Sequence, residues 1–167
     1  MAGIQLSDFH PEMSLFDALS PEAFRKMLRI ARRETVEAGS ALLREGAEAD
    51  TLSVILAGKV KVFKTGDNLE QIEIAVLGSG SIFGEMGVFD GQKASASIIA
   101  VEDTIVLQIG RDRFFQFLHE NPEIAITLMH TMIYILSNRL RKANVHATSV
   151  ASTNPDLATA LYSLLGD

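Results

Sequence analysis

The 167-residue chain carries 15 Lys+Arg against 21 Asp+Glu, a formal charge of −6, and no cysteine. That length fits one domain with a substantial core, and the composition excludes disulfides, thiolate zinc sites, cysteine-held clusters and a global attraction to nucleic acid. No run reaches the ~18 apolar residues of a membrane span, and Met1 to Pro11 has neither the basic start nor the apolar core of a signal peptide, so a soluble cytoplasmic protein is expected.

Residues 1–13 show no period and are expected to form an arm. Ser14 caps a short turn holding Leu15, Phe16 and Leu19. Ser20-Pro21-Glu22 then opens a helix, with serine at the cap, proline at the first helical position and an acidic first turn. Phe24, Met27, Leu28 and Ala31 recur at helical spacing, and the helix is expected to end near Arg33. Arg25, Lys26, Arg29, Arg32 and Arg33 crowd this segment, as Arg139, Arg141 and Lys142 crowd a later one; both read as solvated helix faces, with an anionic partner as the lesser reading.

From Thr35 to Ile109 short apolar runs alternate with glycines. Residues 51–56, 59–64, 71–77, 95–101 and 104–109 read as strands. Lys59-Val60-Lys61-Val62-Phe63-Lys64 alternates polar and apolar, so one face meets water, and Gly66-Asp67-Asn68 signals a hairpin. Many short strands so spaced point to a closed antiparallel β architecture rather than a parallel sheet. The fold class is therefore mainly β with flanking helices, an antiparallel β-roll or jelly roll with short N-terminal helices and a long C-terminal helix.

Arg111 to Glu120 makes a short helix, and Pro122 opens a longer one to about Asn144. Thr127, His130, Thr131, Tyr134, Ser137 and Asn138 form one polar stripe on it, and the remaining face is apolar and wider than one sheet edge needs. Pairing with the same helix of a twin subunit, a homodimer through residues 122–144, is the natural use of that surface. Residues 14–144 thus make the domain. Residues 145–155 read as a small, polar linker, and Asp156 to Leu165 as one last short helix.

No catalytic constellation is visible. None of the four histidines, His10, His119, His130 and His146, lies in the β region, which argues against a metal-dependent jelly-roll enzyme. Ser79-Gly80-Ser81 lacks a paired base at any recognisable spacing. Gly78 to Gly84 fails as a Rossmann fingerprint, because its third glycine falls one residue late, and as a phosphate loop, because no Gly-Lys-Ser/Thr follows; on spacing it is a turn between strands. No catalytic residue, metal or cofactor is assigned.

Phe83 to Ala100 is the informative stretch. A Gly-Glu at a strand end, followed by a turn with exposed amides, suits a sugar phosphate: the carboxylate accepts from ribose hydroxyls, while amides and a hydroxyl donate to phosphate. Phe83-Gly84-Glu85-Met86 and the glycines after it resemble the phosphate-binding cassette of the cyclic nucleotide-binding domain superfamily, which includes the catabolite activator proteins. The resemblance runs from about Leu15 to Asn144 and includes Leu43-Arg44-Glu45-Gly46, Ile55 to Val60 and the long final helix.

It implies a regulatory sensor binding cAMP or cGMP between cassette and final helix, which ligand reorients. Glu85 would hold the ribose 2′-hydroxyl, the amides around Gly84, Glu85 and Met86 would line the sugar phosphate, and Ser95 would donate to phosphate. The family's usual cassette arginine falls on Ala94 here, removing a charge-assisted, often bidentate contact. Lys93 is a candidate substitute for that charge, although strand alternation turns it the other way. Asn144, Arg139 and Thr131 stand as alternatives for facing the base. A degenerate relative serving as a dimerisation module, or binding another anion, is the alternative function. The resembling transcription factors carry a helix-turn-helix domain after the long helix; the residues after 144 are too few for one, so no DNA binding by this chain is expected, and output would pass to an unknown effector protein.

Overall fold

The computed structural model describes residues 14–153 apart from 16 and 67, and for 146–153 the backbone alone. The expected N-terminal arm, Phe16 of the first turn and the expected 156–165 helix lie outside the described residues. Helix α1 (Pro21–Ile30) starts as read: Ser20 is extended, and its hydroxyl accepts from the Ala23 amide at 3.2 Å. It ends three residues before Arg33, because Ala31 turns extended and Arg32–Val36 becomes strand β1, laid antiparallel on β8 (Thr104–Gly110).

The other strands are β2 (Ala41–Leu43), β3 (Thr51–Ala57), β4 (Val60–Thr65), β5 (Gln71–Leu77), β6 (Ile82–Phe83) and β7 (Ser97–Ala100). They form two four-stranded antiparallel sheets, ordered β1-β8-β3-β6 and β2-β7-β4-β5. Between them lies one core of Ile55, Val60, Val62, Phe83, Ala96, Ile98 and Val106. The first sheet buries its other face too, under α1, α3 (Arg111–Glu120) and α4 (Pro122–Thr153), with Met27, Leu52, Val54, Leu107, Phe114, Phe117 and Leu128 at the contact. Burial on both faces leaves β3 without an exposed position from Leu52 to Ile55, Ser53 included. β4 meets the core on one face only and alternates. The hairpin after it closes with Leu69 N–H donating to Gly66 C=O at 2.9 Å.

Two expectations need correction. The segment after Gly84 is not a turn but a six-residue helix, α2 (Glu85–Asp90). The long helix does not stop near Asn144; it continues through residues 145–153, which the composition suggested were linker. That stretch contains no glycine or proline until Pro155, and extending an existing helix costs far less than starting one.

On α4 the polar stripe does not simply face water. Thr131 is fully buried, its hydroxyl donating to the Thr127 carbonyl at 2.8 Å, while Ile126, Ile133 and Leu140 stand 58%, 61% and 63% exposed. Among the described residues no helix is long and apolar enough to cross a membrane.

Candidate functional site

β6 delivers the chain to the site. Gly84 sits at φ +78°, which lets the backbone leave the strand and enter α2 at once; a Cβ there would strike the Thr51 carbonyl. Glu85 is the first helical residue and is 5% exposed. Val88 N–H is the first amide to turn back, onto the Gly84 carbonyl at 3.3 Å, so the amides of Glu85, Met86 and Gly87 precede the intrahelical ladder.

An enclosed carboxylate needs its charge matched. Arg139, 54 positions on and carried by α4, meets that need: its Nη1 lies 2.7 Å from Glu85 Oε1, and its Nη2 donates to the Ile82 carbonyl. One guanidinium thereby ties the long helix to both the strand end and the cassette helix.

The loop from Gly91 to Ala96 returns beside α2. It is pinned to the 45–47 turn by Gly46 N–H to Ala94 C=O at 2.8 Å and Ala94 N–H to Ala47 C=O at 2.9 Å. This buries the Ala94 side chain and leaves Ser95 exposed, its hydroxyl 3.5 Å from Met86 Sδ. Gly84, Glu85, Met86 and Ser95 therefore come together. Lys93 does not join them: it is exposed and makes no hydrogen bond or ion pair among the described residues.

Below Ser95 is a pair that sequence reasoning did not single out. Lys64 Nζ donates to the Ser95 carbonyl at 2.8 Å and lies 2.8 Å from Glu45 Oε1. Glu45 also accepts from the Thr65 amide at 2.8 Å. The hydrogen bond from Lys64, then that from the Thr65 amide, holds the Glu45 carboxyl down at about 2. The available signals were Glu45 beside Gly46, and the place of Lys64 on the same alternating face as Val60 and Val62.

Of the three helix residues offered for the base, Arg139 reaches the site. Thr131 is buried with its hydroxyl committed, and Asn144 lies on an exposed stretch more than a turn beyond Arg139. An apolar cavity of about 260 Å³ separates α2 from α4, walled by Met86, Phe89, Met129, Met132, Ile133 and Leu136. No group of three or more His, Asp or Glu side chains suited to a metal occurs among the described residues.

Residues 33–121 match the family model described as cyclic nucleotide-binding domain. The chain is 31% identical over 153 residues to the cyclic AMP receptor protein of Thermus thermophilus, covering 90% of this chain and 69% of that protein. It is 32% identical to a cGMP-dependent protein kinase of Caenorhabditis elegans, over 66% of this chain and 14% of the kinase. Among solved structures, the Thermus thermophilus catabolite activator protein superposes with TM-score 0.72 at 30% identity, covering 85% of this chain and 63% of that one. A cyclic nucleotide-binding domain from Methylobacillus flagellatus gives 0.74 at 30% identity, covering 78% and 74%. The chain spans 61% of the length of a CRP-like cAMP-activated regulator of Mycobacterium tuberculosis.

Proposed function

Because the chain belongs to the cyclic nucleotide-binding domain family, a regulatory binding fold rather than a catalytic one, we propose that it senses a cyclic mononucleotide, cAMP or cGMP, and signals through α4. The observation that carries this reading is the Glu85 carboxylate, nine-tenths enclosed at a strand end and matched by an arginine from the long helix.

In this reading Glu85 accepts from the ribose 2′-hydroxyl, and the first amides of α2, around Gly84, Glu85 and Met86, face the phosphate together with the Ser95 hydroxyl. Lys93 stands next to that site as a charge in solvent. The ribose hydroxyl arrives where Arg139 already bonds, so ligand either shares the carboxylate with the guanidinium or displaces it. Either change alters what holds α4 against the cassette, and a ligand with different affinity for the two arrangements shifts their populations. Relatives named for cAMP and for cGMP both match, so the base is left as either.

The seven-residue spacing of exposed Ile126, Ile133 and Leu140 supports a homodimer through α4. The effector that reads the helix is an unidentified protein.

The degenerate alternative, a dimerisation module without a nucleotide, draws on Ala94, which is buried and carries no charge. Calorimetric titration of the purified protein with cAMP and with cGMP separates the two readings. Saturable heat with either nucleotide, abolished in Glu85→Ala, is expected; no heat at high micromolar ligand overturns the sensor reading.

A further inference from the structure

We propose that Lys64, on the strand facing the cassette, supplies the phosphate-binding cation that position 94 lacks. This rests on the nucleotide reading above and adds a residue to it. A phosphate at the Ser95 hydroxyl carries a full negative charge, and such an anion is ordinarily met by at least one charge-assisted donor. Arg139, Lys93 and Lys64 are the candidate cations.

Arg139 is already engaged by Glu85 and the Ile82 carbonyl. Lys93 flanks Ala94, whose side chain turns inward; Lys93 itself is in solvent with nothing to orient it. Lys64 is both close and oriented. β4 sends Val60 and Val62 into the space between the sheets, and Lys64 continues that face to the rim of the roll.

There its ammonium group is fixed by two acceptors, the Ser95 carbonyl and Glu45 Oε1, each at 2.8 Å. An ammonium has three N–H donors, so one remains. Its side chain is 51% exposed, which leaves that donor open to solvent and to an incoming anion. The Ser95 hydroxyl and carbonyl belong to one residue, so an anion accepting from the hydroxyl lies within a side chain's breadth of Lys64 Nζ. Glu45 is itself tethered by the Thr65 amide, which keeps the positive end of the pair towards Ser95. The loop geometry that buries Ala94 is what presents the Ser95 carbonyl to the lysine.

The test is calorimetry with cAMP and cGMP on the full chain and four variants. Lys64→Met is expected to weaken binding about ten-fold, the low end for a charge-assisted bond because the site is half in water. Lys64→Arg is expected to stay within about three-fold, since the charge is kept. Lys64→Met with Glu45→Gln is expected to remain weak, which excludes simple repulsion by an unpaired Glu45. Lys93→Met is expected to lose less than Lys64→Met. Binding by the parent protein with Lys64→Met unchanged, or with Lys93→Met the more damaging, overturns the lysine's role while leaving the nucleotide reading intact. No heat from the parent protein overturns both.

Discussion

The carboxylate of Glu85 and the guanidinium of Arg139 are not equivalent losses. Arg139→Met leaves an enclosed negative charge behind and is expected to cost about 2–4 kcal/mol of stability. Glu85→Gln removes that charge and leaves an arginine with a third of its side chain already in water; about 1 kcal/mol is expected. Urea unfolding of both variants and of the double variant checks the order, with the double costing less than the sum. Glu45 gives a pH signature instead. Its carboxyl titrates at about 2 in the fold against an ordinary 4.5, so between those values the unfolded chain binds more protons. Stability from the pair is complete above 4.5 and is lost as pH falls towards 2. The Tm gap between the parent protein and Glu45→Gln is therefore expected to close over that window. Glu85 and Ser95 were legible in the sequence because glycine order and a short motif mark them. Arg139 was not singled out, because its role depends on how α4 is rotated against a cassette 54 residues away. Lys64 was hidden because a lysine ending an alternating strand looks the same whether its tip meets solvent or a loop carbonyl.

Among the elements, the β6–α2 junction is tightly constrained. Gly84→Ala places a side chain at φ +78° against the Thr51 carbonyl, and roughly 2–4 kcal/mol of destabilisation is expected, read as a lowered Tm. Retained stability would mean the junction has slack. The strands flanked by glycines were readable, and so was α1, whose cap, proline and acidic first turn all agree. α2 escaped notice because six residues with an internal Gly87 show no period. β1 escaped because Arg32-Arg33-Glu34 is charged edge strand whose pairing with Val106 to Gln108 overrides local helical preference. The continuation of α4 past Asn144 was obscured by serine and threonine, which are weak helix formers but not breakers.

At the scale of the whole molecule, both sheets and helices α1, α3 and α4 share their cores through β3 and β8, so the roll and its helices are expected to unfold together. Ile126, Ile133 and Leu140 form an exposed apolar seam along α4. Ile126→Glu puts a charge on that seam away from the pocket beside α2 and is expected to convert a dimer to a monomer in sedimentation equilibrium, with little change in Tm once monomers are compared. A parent protein that is monomeric at all concentrations would remove that seam from the account. Arg139, which grips the Glu85 carboxylate, is followed directly by Leu140, which stands on the seam. In the proposed reading one helix takes part in two equilibria, and thermodynamic reciprocity would bind them: any factor by which nucleotide changes self-association equals the factor by which self-association changes nucleotide affinity. Apparent affinity should consequently drift with the amount of protein in the cuvette, and the drift should vanish in Ile126→Glu.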